Sequence, residues 1–157
     1  MNLTKTPSPM NTLRTLHSAT RFGGGGAILI VGGLDQNGNP LASAEIFYPA
    51  TGAFVALAGQ LNTPRYDHAA IVTANGAVLI FGGIGAGMTY LASVEIFVPG
   101  SGRPEVTGTF AIASGSLSTP RAGMKAEMLS AGGILVTGGQ DGSDQALALA
   151  EIYTPGI

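Results

Sequence analysis

Arg14, Arg65 and Arg121 stand at matched places in the chain, and Glu45, Glu95 and Glu151 follow each of them at a nearly constant distance. Guanidinium groups gathered on one face recognise a carboxylate through paired hydrogen bonds. An equal number of matched glutamates offers the other outcome, mutual neutralisation inside the fold. Asp67 and His68 form an acid–imidazole pair in sequence, but adjacent residues of a strand point to opposite faces. His17 occupies the place of His68 one repeat earlier, while Met124 stands there in the third copy. A metal needs three or four converging ligands, so these histidines read as packing residues and no metal is assigned. Asp141 and Asp144 lie in DGSD, which lacks the ligand spacing of a calcium loop and reads as a solvated turn. The glycine-rich GGIGAG at 82–87 fails the dinucleotide pattern, because Met88 fills the sixth position counted from Gly83. No Ser-His-Asp or Cys-His signature is present, and no catalytic residue or cofactor is assigned. Arg14, Arg65, Arg121, Asp67 and His68 remain as binding candidates.

The elements that position these residues repeat. Gly32-Gly33, Gly82-Gly83 and Gly138-Gly139 each close an apolar run: AILIV, AVLIF and GILVT. Downstream, LASAEIFYP matches LASVEIFVP and LALAEIYTP. The glycine pairs are 50 and 56 residues apart, a period that belongs to propellers and solenoids. A short run apolar at every position suits a strand covered on both faces, and five residues are too few for a buried helix. Strand a is read at 68–72, b at 77–81, c at 94–98, and d from near Phe54 or Phe110. Asn75-Gly76 marks the a–b hairpin. In an antiparallel meander the start of a, the end of b and the start of c share one end. Arg and Glu would then face each other across strand b, over a gap left by the two glycines. The predicted pairs are Arg14–Glu45, Arg65–Glu95 and Arg121–Glu151, with pairing to a neighbouring unit as the open alternative.

TPR-x-x-H, an apolar strand ending in Gly-Gly, S-x-E-I-F/Y-x-P and T/S-G-x-F resemble the kelch repeat in its bacterial form, as in the central domain of galactose oxidase-like proteins. The likeness runs from Met10 onward and recurs three times. It departs in having Phe54 or Phe110 where the family usually has Trp, and Met124 for His. The resemblance implies an all-β fold, a kelch-type β-propeller segment of three four-stranded blades, open or part of a six- to seven-bladed propeller. It implies one repeat domain over 1–157, with repeats at 10–60, 61–116 and 117–157. It also implies a binding or scaffold module presenting loops 34–41, 84–91 and 140–147 to a protein or glycan. A sugar-modifying enzyme like the sialic-acid mutarotases, or an inert part of a larger surface protein, are the alternatives. Copper-radical oxidase chemistry needs a cysteine, and the chain has none.

Composition sets the outer bounds. Charged residues are 10% of the chain and hydrophobic ones 45%, against disorder, with net charge −2 and no basic cluster to meet nucleic acid. No apolar run reaches the roughly 20 residues of a spanning helix, so no membrane insertion is expected. The first residues lack the apolar core of a signal peptide, and the compartment stays open. Leu3 stands eleven residues before Arg14, as Phe54 and Phe110 stand before Arg65 and Arg121, so residues 1–9 are read as a tail or an outer strand. Closed propellers have 4–8 blades. Three would leave an apolar flank, covered in a longer propeller or in a homodimer forming six blades.

Overall fold

A computed structural model describes residues 4–100 and 107–155. The first sheet has the order β1 (Ser18–Phe22), β2 (Ala27–Val31), β3 (Ala44–Tyr48) and β4 (Ala53–Ala56). The second runs β5 (Ala69–Val72), β6 (Val78–Phe81), β7 (Ser93–Pro99) and β8 (Gly108–Ser116). The third contains β9 (Lys125–Met128), β10 (Ile134–Thr137) and β11 (Ala150–Tyr153), with β10 in the middle. All pairings are antiparallel between strands consecutive in sequence, so each repeat folds as one meander.

The chain is all-β, but the expectation of three four-stranded units needs correction: the described residues form sheets of four, four and three strands. A fourth strand of the third repeat would come after Pro155, outside the described residues. The outer-strand reading at Leu3 lies outside the described residues, and residues 4–9 carry no strand.

Sequence pattern explains how the sheets sit together. In β6 every residue is buried, because the second sheet is covered on both faces. Val78, Ile80 and Phe97 pack with Leu29, Val31 and Ile46 of the first sheet. Leu79, Phe81 and Val94 pack with Met124, Ile134 and Val136 of the third. Aromatic pairs bridge the outer strands of the first two sheets, Phe47 with Phe54 at 4.7 Å and Phe97 with Phe110 at 5.0 Å between ring centroids.

The third sheet departs from the continuous apolar pattern. Lys125 and Glu127 are exposed on β9, where β5 has Ala69 and Ile71 facing the next sheet. The flank of that sheet is therefore mixed, with Ile152 64% exposed beside two charges, and is not the uniformly apolar surface expected. No helix among the described residues is long and apolar enough to cross a membrane.

Candidate functional site

One end of the three sheets gathers the starts of β1, β5 and β9, the glycine pairs, and the loops before β3, β7 and β11. Its foundation is the set of Arg–Glu pairs. Arg14 Nη2 lies 3.0 Å from Glu45 Oε1, Arg65 Nη2 2.6 Å from Glu95 Oε1, and Arg121 Nη2 2.5 Å from Glu151 Oε1. Each pair is internal to one sheet. The bonding extends well beyond the ion pair. Arg65 Nη1 donates to the carbonyls of Gly82 and Ser93, at the end of β6 and the start of β7. Glu95 accepts the backbone N–H groups of Asn62 and Thr63, and the Asn62 amide. The pair thus sews the incoming segment to the two strands beside it. Arg14 and Glu45 repeat this with Gly32, Ser43, Asn11 and Thr12.

The third pair is thinner. Leu149 stands where Ser43 and Ser93 supply a hydroxyl, Glu151 accepts, among the described residues, the Ser118 N–H besides the arginine, and its side chain is 21% exposed. Burial would raise the Glu45 carboxyl, but hydrogen bonds from Asn11, Arg14 and Thr12 outweigh it and hold the group below its ordinary value. Desolvation lowers the Arg65 guanidinium and Glu95 opposes that shift. All three arginines are buried, and each turns to its glutamate inside the fold.

The glycines do something other than the sequence geometry suggests. A Cβ at Gly32 would meet Arg65 O at 2.5 Å, and one at Gly82 would meet Arg121 O at 2.5 Å. In the first two pairs the first glycine therefore admits the backbone of the following repeat. The second admits its own: a Cβ at Gly33 would meet Thr15 O, and at Gly83 Tyr66 O. At Gly139 it would meet Ala122 O, while Gly138 has only Leu147 O at 3.7 Å. The nearest atoms are backbone, imidazole and Met124, and a gap for the arginine is not what these positions provide.

A second link between repeats runs through the backbone. Asp67 N–H donates to Leu16 O at 3.0 Å, and Gly123 N–H to Asp67 O at 2.9 Å. Leu16, Asp67 and Gly123 are equivalent in the three repeats, and all have positive φ, at 53°, 53° and 68°. Asp and Gly tolerate this conformation readily while Leu does not, so side-chain type does not mark the row. Asp67 is half-buried, and desolvation raises its carboxyl while Lys125 pulls it down.

His68 joins neighbouring sheets as well. Its Nε2 lies 2.8 Å from Ser18 Oγ, and Nδ1 is buried without a hydrogen-bond partner. Desolvation first, then Arg65 and His17, push its pKa down to about 3. His17 is also lowered, by burial and by Arg14. Among the described residues no three of the His, Asp and Glu side chains converge as a metal-holding group. A histidine lowered on folding binds its proton more readily when unfolded, so it destabilises the native state as pH falls from 6.5 toward 3. Replacing His68 by Met, the residue at the matching place in the third sheet, is expected to flatten the fall in Tm between about pH 6.5 and 4.5. Thermal melts of both proteins across that interval check it, and an unchanged slope would rule out His68 as the titrating group.

The loops carry the variable chemistry. Asp35 cradles the backbone N–H groups of Asn37 and Asn39, and Asp141 those of Ser143 and Gln145. The Asn39 bonds in particular hold the Asp35 carboxyl below its usual range. The middle loop has Gly85 at that place and a short 3-10 turn over Ala86–Met88, with Met88 74% exposed. Tyr90 bridges the second and third loops: Gln140 Nε2 donates to its hydroxyl at 2.8 Å, and the hydroxyl donates to Asp144 at 3.3 Å.

No protein-family model matches this chain, and no curated protein matches it in sequence. The functional reading therefore rests on the residues and their geometry. The sheet end brings Asp67, His68 and the three loops together, and it holds the arginines underneath as framework.

Proposed function

We propose that the chain is a kelch-type β-propeller segment that binds a protein or glycan partner, without catalysis, through loops 34–41, 84–91 and 140–147. The observation that carries this reading is the contrast between framework and loops at one sheet end. Beneath, the same ion pairs and glycines recur three times. Above, the exposed tips differ: amide-bearing Gln36, Asn37 and Asn39, the apolar Met88, then Asp144 and Gln145. Exposed loops of differing chemistry on a rigid scaffold are where recognition concentrates. A mutarotase-like reading depends on an arginine facing a pocket, and the pairing of Arg14, Arg65 and Arg121 with glutamates lends it no support.

A glycan array run beside a sugar-isomerisation assay tests the proposal. Binding that is lost at least tenfold when the three loops are replaced by Gly/Ser segments of equal length supports it. Binding that survives the replacement, or turnover of a sugar, overturns it. The propeller reading further proposes that the flank around Leu135 and Ile152 meets another blade, in a longer propeller or in a homodimer of six blades. Mass in solution separates the two, since only the homodimer doubles it.

A further inference from the structure

We propose that the cleft between the second and third sheets, at the end away from the loops, binds a small neutral molecule carrying one aromatic ring. The cleft, open to solvent on one side, has a volume of about 290 Å³ and is lined by Thr73, Leu79, Ile96, Met128, Gly132 and Pro155 among others. Its counterpart between the first and second sheets is filled. There Phe22 is 5% exposed and stands edge-on to Phe97, with ring centroids 5.5 Å apart. Phe22 pairs with Ala27 at the end of its hairpin, and Thr73, bonded to Ala77, holds the same place in the second sheet. Leu29 and Ile46, which pack in the Phe22 cluster, correspond to Leu79 and Ile96 of the cleft. One framework therefore houses a phenyl ring in the first interface and lacks it in the second.

The remaining partners have turned elsewhere. Tyr153, at the place of Phe97, packs edge-on to Phe81 at 5.3 Å and gives its hydroxyl proton to Ser114 O. The Thr73 hydroxyl stays within hydrogen-bonding reach of Asn75 Oδ1 and Ala77 O. Met128 replaces Val72 on the far wall, and a thioether beside a ring edge is a favourable contact. No charged side chain is among the lining residues, so an ionised ligand would lose its hydration without compensation. An apolar cavity of roughly 150 Å³ suffices for benzene. The space here admits a ring with a small substituent.

The full-length chain, titrated with toluene and followed through its methionine methyl resonances, provides the test. The expected result is a saturable shift of Met128, with exposed Met88 unmoved and a rise in Tm. Methylcyclohexane and benzoate are expected to bind at least tenfold more weakly. Thr73→Phe supplies the missing ring and is expected to abolish the toluene response. No saturable Met128 shift in the natural protein overturns the proposal, whether because the chain's own residues after Pro155 or a second copy fill the space. An equal response to methylcyclohexane overturns the aromatic preference, and so does unchanged toluene binding in Thr73→Phe. The natural-protein titration decides the matter even where that variant fails to fold.

Discussion

Glu95→Gln is expected to cost about 3–5 kcal/mol in urea unfolding, because it leaves the buried Arg65 guanidinium without its counter-charge. Glu151→Gln leaves the equally buried Arg121 unpaired, but that carboxylate is partly wet and accepts fewer bonds, so the cost is expected to be smaller, about 2–3 kcal/mol. A buried ion pair can often be exchanged for two apolar residues with little loss. That exchange should fail here. Arg65 satisfies the carbonyls of Gly82 and Ser93, and Glu95 satisfies the N–H groups of Asn62 and Thr63. Arg65→Met combined with Glu95→Leu would orphan the Gly82 carbonyl and the N–H groups of Asn62 and Thr63, while Ser93 O keeps its bond from Gly82 N–H, at roughly 1–3 kcal/mol for each orphan that finds no water. The double variant is therefore expected to be no more stable than Glu95→Gln alone. Recovery of stability in the double variant would mean that charge balance, and not the stitching of three segments, is the role of the pair.

That stitching was half legible in the sequence. Matched Arg and Glu spacing pointed to pairing within a repeat, because a meander returns the start of its first strand and the start of its third to one end. The apolar runs marked the central strands, and Asn75-Gly76 marked a hairpin whose turn has Gly76 at φ 85°. What stayed hidden depends on contacts between repeats. The Leu16–Asp67–Gly123 row is a backbone feature with a different side chain in every copy, so no residue type repeats to announce it. Lys125 and Glu127 sit in a strand whose counterpart in the second sheet, β5, is apolar, and only the stacking order shows that their face meets no further sheet of the described chain. The exchange of Phe22 for Thr73 looks neutral until both interfaces are laid over each other.

Gly82→Ala and Gly138→Ala form the sharpest comparison the fold allows. Both positions have positive φ, 55° and 64°, so both pay the left-handed backbone penalty of about 1–2 kcal/mol. At Gly138 little else opposes a methyl group, the nearest atom being Leu147 O at 3.7 Å. At Gly82 the methyl would lie 2.5 Å from both Arg121 O and Met124 Cε, and the Met124 tip alone could yield. The carbonyl cannot retreat without breaking its 2.9 Å bond from Gly83 N–H, which ties the second sheet to the third. Overpacking of about 1–3 kcal/mol then adds to the backbone term, for a total near 2–5 kcal/mol or loss of the fold. Gly138→Ala is expected to remain folded, with a loss of about 1–2 kcal/mol in urea unfolding. The difference between the two variants measures what the next repeat contributes at the first glycine. Should Gly138→Ala prove as damaging as Gly82→Ala, something in solution already occupies the place beside the third sheet that Arg121 occupies beside the second, as the six-blade homodimer requires.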